Sequence, residues 1–574
     1  MSKITFINVP GHDCEILTVY PPVGVMMMSA CLKQDGHTVG FIDADIKRLD
    51  PEKVLRQLRV DEKPDLIGIS LNVSQVKHSV RYIEAVQRDF PGIPVILGGP
   101  YVSGVGKDIF KDFPTVDYAV VNEGEEAICD FMEYLNGARA VDDVRNLVYK
   151  NEGEVCANPI SRITDLEALP LPDYSLVADF IEMYQGPPPS MAAPSVAIMC
   201  TRGCPYKCTF CSSPITWNRK VTFRSTDSII KEILYLRDLV GIKEVYFQDD
   251  TLNARPKWLF DLCDKIISHG LHQEIYFKCA MRVNRNLVSK EILEKLREAN
   301  FWIALYGVEN GNQEMLKSIN KNITLEEIER AFKMTRKAGI LTNAAFMLGN
   351  YGETKETVRD SLNLMKKIKP DYVGFSIAIP FPGSELYRIV KEKGLISLDD
   401  FTQYQFGDVI LRTDELDKQD LLNYVQVASR EYYKLKQSRS YRQLTKNNIL
   451  IKLIGEGFYW PEMRERWVRR TMKQAALSLP LNGGNAESVK MRVQADYPDI
   501  GSRPVLMQLW VNGKKHSVSF ENADWRELSF PVVAGSDPYL HLKWKVDRTW
   551  NPARHGQTHD DREVGVTVEK IWVD

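Results

Sequence analysis

Apolar and polar positions alternate along this chain in two long series. In the first, short apolar runs at 4–9, 39–43, 66–71, 95–97 and 118–121 are separated by amphipathic stretches such as 76–88. Strands alternating with helices predict a parallel sheet wound on both sides, with ligands taken at the strands' C-terminal ends. Those ends read Ser70-Leu71-Asn72, Gly98-Gly99-Pro100 and Asn122-Glu123-Gly124-Glu125. Small residues there either admit a bulky ligand close to the backbone or simply make tight turns.

Leu169-Pro170-Leu171-Pro172 and Gly186-Pro187-Pro188-Pro189 then suit an ordered, irregular linker. A second series follows, with strands expected at 196–199, 244–247, 275–279, 302–308, 341–348 and 372–379 and helices such as 227–239 and 325–337 between them. Six β/α units in a row predict a partial barrel with its active site at the C-terminal mouth. After about Gly394 the pattern turns helical, and from about Ser488 it becomes short alternating strands. Val511-Asn512-Gly513-Lys514 spells a type I′ hairpin. The expected class is α/β, in five parts: a doubly wound domain (1–140), a linker (141–194), the partial barrel (195–393), a basic helical extension (394–487) and a small β-sandwich (488–574).

Composition narrows the classes. A chain of 574 residues is too long for one core. With 44% hydrophobic and 26% charged residues and a formal net charge of −2, it announces no polyanionic partner. No apolar run approaches the roughly 18–20 residues that cross a bilayer, and residues 1–10 lack the basic-then-apolar pattern of a secretion signal, so a cytoplasmic location is expected. Residues 430–473 stand apart, with twelve Lys and Arg against four Glu, interleaved with Ile449, Leu450, Ile451, Phe458, Tyr459, Trp460 and Trp467. Two readings fit: a solvated helix packed on the barrel, or a peripheral contact with the inner face of a membrane. Nothing resembles a base-reading module, so nucleic acid is not an expected partner.

Ten cysteines without a secretion signal do not read as a disulfide scaffold, and four of them fall within residues 200–211. Cys204, Cys208 and Cys211 form C-x-x-x-C-x-x-C just after the first barrel strand. Three thiolates on one loop reach three corners of an iron–sulfur cubane and leave one iron open. A closed zinc site needs a fourth ligand, for which Cys200 is the candidate, and Cys200 could equally shift the triad to Cys200, Cys204 and Cys208. Position at the barrel mouth favours the cluster.

The run Thr201-Arg202-Gly203-Cys204-Pro205-Tyr206-Lys207-Cys208-Thr209-Phe210-Cys211 closely resembles the signature of the radical S-adenosylmethionine superfamily. The resemblance continues in order through Phe247-Gln248-Asp249-Asp250, Gly307-Val308-Glu309-Asn310-Gly311, Gly349-Asn350-Tyr351-Gly352-Glu353-Thr354 and Pro380-Phe381-Pro382-Gly383-Ser384. It implies a 4Fe–4S cluster on Cys204, Cys208 and Cys211, reductive cleavage of S-adenosylmethionine to a 5′-deoxyadenosyl radical, and an external flavodoxin- or ferredoxin-like electron donor. Phe210, Gln248, Asp249 and Glu309 are its candidates for contacting S-adenosylmethionine.

The first domain is similar to the cobalamin-binding domain fused to one branch of that superfamily, which includes radical methyltransferases and the anaerobic Mg-protoporphyrin ester cyclase. Pro22, Val23, Ser70, Asn72, Gly98, Gly99 and Glu123 are then the candidate cobalamin contacts. Asp35-Gly36-His37-Thr38-Val39-Gly40 spells the cobalt-ligating D-x-H-x-x-G, but it falls between the first helix and second strand, at the wrong edge of the sheet. His37 is expected at a helix end, where a cation suits the dipole, and His12 lies in the loop that would face cobalt. The branch implies hydrogen abstraction from an unactivated carbon of a small-molecule or lipid substrate, followed by methyl transfer from methylcobalamin. Ring closure or carbon–carbon bond formation without methylation is the alternative, and a non-catalytic cofactor sensor is the rival of another class. Trp510, Trp525, Trp544, Trp550 and Trp572 in the last domain are either core or a stacking platform.

Overall fold

The computed structural model describes residues 2–11, 20–61, 63–184, 186, 189–217, 219–405, 407–437, 456–463, 467–480, 488–532, 539–550 and 565–573. The chain divides into two compact units: Met1–His12, Leu17–Gly186 and Met191–Ser429 in one, and Asp13–Ile16, Pro187–Ser190 and Arg430–Asp574 in the other. His12 and much of the basic segment (438–455 and 464–466) lie outside the described residues.

In the first unit, β1 (Lys3–Asn8), β2 (Thr38–Asp43), β3 (Leu66–Ser70), β4 (Val95–Gly98) and β5 (Tyr118–Val120) form a parallel sheet. Its order is β2-β1-β3-β4-β5, and β6 (Leu147–Asn151) and β7 (Glu154–Ala157) extend it antiparallel. Each parallel strand falls within a residue or two of its expected place, because each is a short buried apolar run with few competing conformations. The β6–β7 hairpin falls where only linker was expected. It is short, and Glu152 and Gly153 turn it with φ of 49° and 88°. The D-x-H-x-x-G string spans the turn between the helix Val23–Gln34 and β2, at the edge opposite the strands' C-terminal ends.

The barrel strands β8 (Ser195–Ile198), β11 (Glu244–Phe247), β12 (Tyr276–Met281), β13 (Phe301–Glu309), β14 (Leu341–Leu348) and β15 (Tyr372–Ile377) lie in sequence order in one parallel sheet. Between β8 and β11 come two short antiparallel partners, β9 (Thr201–Arg202) and β10 (Thr222–Phe223). Local signals set the helix limits. The hydroxyl of Ser225 accepts the Ser228 N–H to open the helix Thr226–Val240, and Thr324 with Glu327 makes a capping box for Leu325–Lys337. The helix after β4 (Pro100–Val105) packs closely on the loop after β15. A Cβ on Gly104 would come within 2.4 Å of the Pro382 carbonyl oxygen, so only glycine fits there.

The second unit is antiparallel. Its strands are β16 (Glu456–Met463), β17 (Trp467–Pro480), β18 (Ser488–Gln494), β19 (Val505–Val511), β20 (Lys514–Phe520), β21 (Arg526–Pro531), β22 (Tyr539–Val546) and β23 (Thr567–Val573). They run in the order β20-β19-β22-β17-β23-β18-β21, with β16 on β17. Phe520 and Phe530, at opposite ends of that order, share one core with Val489, Leu509 and Trp544, so the sheet folds over itself as a sandwich. The hairpin at Asn512-Gly513 forms as expected, with φ of 46° and 83°.

The expected helical extension needs correction. It is helical at Lys418–Gln437, but 456–463 and 467–480 are strands. The run 467–480 is rich in helix formers, and pairing with β22 over Gln474–Pro480 overrides that local preference. Trp544 and Trp550 are core residues, while Trp510 and Trp525 are half-buried.

Candidate cofactor site

The signature loop is an excursion from the barrel's first strand. Pairing of β9 with β10 brings together the two ends of this excursion. Gly203 makes this possible: its φ is 94°, and a Cβ would lie 2.5 Å from the Lys220 carbonyl oxygen. The loop is tied down by the Thr209 N–H on the Ile319 carbonyl (3.0 Å) and the Leu386 N–H on the Thr209 carbonyl (2.8 Å).

Cys204, Cys208 and Cys211 are all half-buried on this loop. Burial pushes the Cys211 thiol up to about 12, the Ser213 N–H at 3.4 Å opposes that rise, and Asp250, Cys208 and Cys204 reinforce it. The three thiols are therefore neighbours. Among the described residues, however, no three His, Cys, Asp or Glu side chains converge on a single-ion site. Three neighbouring thiols on one loop suit a cluster in which each binds a different iron. Cys200 stands apart: fully buried, its thiol is raised by burial and then by Asp249, with Arg224 and Glu232 as its further neighbours.

Asp249 is turned inward rather than toward the mouth. Its Oδ1 accepts from the Cys200 N–H (3.1 Å), the Thr201 hydroxyl (2.7 Å) and the Thr201 N–H. Burial raises its carboxyl to about 7. Asp249 is thus a brace beneath the root of the loop. Gln248 is exposed at the end of β11.

Glu309, ending β13, adopts a left-handed φ of 64°, and its Oε1 accepts from Lys321 Nζ at 2.6 Å. Strain of this kind collects at ligand sites. Lys321 Nζ lies 5.8 Å from the centroid of the Phe210 ring. A Cβ at Gly307 would come within 2.5 Å of Glu309 Oε1 and 2.7 Å of Lys321 Nζ, so this glycine makes room for the pair. Beside it, Glu353 accepts from Asn310 Nδ2 (2.6 Å) and from the Gly349 N–H, joining the ends of β13 and β14; burial raises Glu353 to about 7. Phe210, Glu309 and Lys321 therefore meet at the mouth. Sequence reading missed Lys321, whose only signal is a lone charge among Asn320, Asn322 and Ile323.

A cavity of about 290 Å³ lies at the C-terminal ends of β3, β4 and β5, and Val23, Ser70, Gly98, Gly99 and Glu123 line it. Pro22 and Asn72 do not. Pro22 caps the helix Val23–Gln34, and Asn72 caps a turn by accepting the Ser74 N–H at 3.1 Å. Met27, Met28 and Ile128 give the cavity an apolar wall, and Leu166, Leu169 and Pro172 of the supposed linker close it. A Cβ at Gly24 would meet no atom within 4 Å, so glycine keeps open a slot that a side chain would enter. A flat, largely apolar macrocycle such as a corrin fits walls of this kind.

The barrel closes the same cavity with Met199, Arg202 and Trp217. Arg202 is buried, and Nη1 donates to Glu123 Oε1 at 2.6 Å while Nη2 donates to Glu125. The second Glu123 oxygen accepts the Ile163 N–H at 2.8 Å, so Glu123 meets the cavity as part of a buried ion pair. On the far side of the loop, Asn122 Nδ2 donates to the carbonyls of Ile215 (2.8 Å) and Thr216 (3.0 Å). The end of β5 thus grips the signature loop before Cys204 and after Cys211.

Residues 198–365 match the radical SAM superfamily, and residues 15–132 match the B12 binding domain. Over 420 residues the chain is 26% identical to an uncharacterized methyltransferase of Pyrococcus horikoshii, covering 72% of this chain and 88% of that one. Over 439 residues it is 26% identical to the anaerobic magnesium-protoporphyrin IX monomethyl ester cyclase of Rubrivivax gelatinosus, covering 75% and 77%. The solved structure of the cobalamin-dependent S-adenosylmethionine radical enzyme OxsB, with aqua-cobalamin and S-adenosylmethionine bound, shares the fold, with a TM-score of 0.63 and 18% identity over 76% of this chain and 70% of that one.

Sheet, loop and family match together define a radical S-adenosylmethionine enzyme. The B12-binding domain ahead of the barrel places the chain in the cobalamin-dependent branch, whose cofactors are a 4Fe–4S cluster, S-adenosylmethionine and cobalamin. No helix among the described residues is long and apolar enough to cross a membrane.

Proposed function

We propose that this enzyme methylates an unactivated carbon of a small-molecule substrate. The observation that carries the reading is the shared wall: Arg202, just before Cys204, and Trp217, at the end of the short helix after Cys211, also line the cavity at the end of the cobalamin-type sheet. Two cofactors seated there would face a common space. The similarity to a methyltransferase over 420 residues supports the methyl outcome.

When bound, the cluster supplies the electron that splits S-adenosylmethionine into methionine and a hydrogen-abstracting radical, and cobalamin supplies a methyl carrier. The chain's own residues bind and orient. Cys204, Cys208 and Cys211 hold the cluster, Asp249 fixes the root of their loop, and Gln248 and Glu309 with Lys321 present polar groups beside Phe210 for the amino acid and ribose parts of the cofactor. Val23, Ser70, Gly98 and Gly99 cradle the corrin, and the apolar wall of Met27, Met28 and Ile128 excludes water. A flavodoxin- or ferredoxin-like protein serves as the external electron donor.

Ring closure without methylation is the second reading, favoured by the equal identity to the cyclase over a similar length. Anaerobically reconstituted protein, given dithionite, S-adenosylmethionine with a trideuterated methyl group and a small-molecule extract, separates them. Methyl transfer predicts 5′-deoxyadenosine together with a product heavier by the labelled methyl. Deoxyadenosine with an unlabelled, dehydrogenated or cyclised product would move the assignment to the second reading. Absence of deoxyadenosine from cluster-loaded protein would leave a cofactor-binding sensor.

A further inference from the structure

Arg282, the residue after β12, is 6% exposed, and its guanidinium is fixed on every side. Nε donates to Asn284 Oδ1 at 3.0 Å, Nη2 donates to the Lys321 carbonyl, and Nη1 points at Cys208 Sγ from 3.9 Å. The guanidinium carbon sits 3.5 Å from the centroid of the Tyr206 ring, a stack that stops it turning to solvent. The backbone is held as well: its N–H donates to Asn253 Oδ1 (3.1 Å) and its carbonyl accepts from Asn253 Nδ2 (3.0 Å).

None of these acceptors is a carboxylate. Among the described residues, no carboxylate lies within ion-pair distance of Arg282, whereas the two other buried arginines of this region are matched, Arg202 by Glu123 and Glu125 and Arg224 by Glu232. Arginine does not shed its proton, so the charge is permanent. A buried cation without an anion is costly, and proteins retain one where an anion arrives from outside the chain. A signature thiol, that of Cys208, lies 3.9 Å from its Nη1.

We propose that Arg282 is the counter-charge to the loaded cluster and sets its reduction potential, acting through Cys208 as a positioning residue. The inference rests on the reading that Cys208 ligates the cluster. Each electron accepted makes a cluster one charge more negative, so a fixed cation beside one thiolate favours the reduced form. Net charge and hydrogen bonds at the sulfurs are the terms that set such potentials. The hydrogen bond to the Lys321 carbonyl also links this cation to the Glu309–Lys321 pair beside Phe210.

The test is an anaerobic redox titration of the full-length, cluster-loaded protein with dithionite, followed by EPR of the reduced cluster, alongside iron and sulfide content. Arg282→Gln at wild-type iron content should show a midpoint shifted to lower potential, and Arg282→Lys, which keeps the charge but loses the fork, a smaller shift. An unchanged midpoint in Arg282→Gln with full iron content would overturn the proposal. If Arg282→Gln does not retain the cluster, Arg282→Lys decides: retention in Lys alone, at equal far-ultraviolet circular dichroism, supports a charge role, and equal loss in both variants overturns it. Failure of the underlying reading is distinct, because Cys208→Ala would then keep a wild-type cluster.

Discussion

At the scale of single residues, the site depends on side chains whose roles differ from their appearance in the sequence. Asp249 sits in a string that resembles a cofactor contact, yet its Oδ1 holds the root of the signature loop. Asp249→Ala would strand the buried Cys200 and Thr201 donors, a loss of about 1–3 kcal/mol; chemical unfolding of the cluster-loaded protein should register it, together with faster loss of iron. Asp249→Asn keeps the accepting oxygen and removes the ionisation. Burial lifts the folded carboxyl from 3.8 to about 7. Between those values the folded chain binds more protons than the unfolded one, so this group makes stability fall as pH rises through that window and contributes no further slope above it. The Asn variant should therefore gain on wild type as pH rises from 4 to 7, and parallel stability curves for the two proteins across that range would refute this account. That three thiols share one loop was legible because their spacing in the sequence is short. Lys321 and Arg282 were not, since a lone cation gains meaning only from what folds against it.

At the scale of elements, β/α alternation specified both sheets nearly residue by residue, because buried parallel strands tolerate little except apolar residues. Two stretches escaped. The linker proved to be partly a hairpin and partly a cavity wall, since Leu166, Leu169 and Pro172 face the slot without any periodic pattern. The strand 467–480 was hidden by residues that favour a helix until β22 pairs with it. Nor does any sequence pattern show that the end of β5 grips both flanks of the signature loop. This grip predicts uncoupling. Arg202→Gln leaves Glu123 and Glu125 without their shared partner, and loss of one member from a buried pair costs about 3–5 kcal/mol where the remaining charge is stranded. Asn122→Ala removes two neutral hydrogen bonds and adds the strain of an alanine at a φ of 61°, with no charge stranded, and is the milder probe. In Asn122→Ala, reductive cleavage of S-adenosylmethionine should persist while methyl transfer per deoxyadenosine falls, because the cluster keeps its ligands but its register against the cobalamin cavity loosens. An unchanged ratio of methylated product to deoxyadenosine would show that the grip does not set that register.

At the scale of the whole molecule, the residues assigned to cofactors fall in the unit that ends at Ser429, and the second unit has an apolar core of its own around Trp544. A chain ending after Gln437 should therefore retain its iron content, the absorbance of bound cobalamin and the production of 5′-deoxyadenosine under dithionite. The same truncation addresses the basic segment, because it removes most of the twelve Lys and Arg of 430–473. Lys and Arg near an anionic bilayer are each worth about 1 kcal/mol, and salt screens the attraction. The described part of this segment beyond residue 437 is paired strand rather than the amphipathic helix that would lie in a membrane interface, and residues committed to a sheet should bind vesicles little. Full-length and truncated protein should then sediment equally, and little, with anionic and neutral vesicles at low salt. Sedimentation of the full-length chain alone, with anionic vesicles alone and reversed by salt, would instead assign the second unit a membrane role and make a lipid the substrate class to test first. Loss of deoxyadenosine formation from a truncated chain that still holds its cluster would show that the second unit completes the active site.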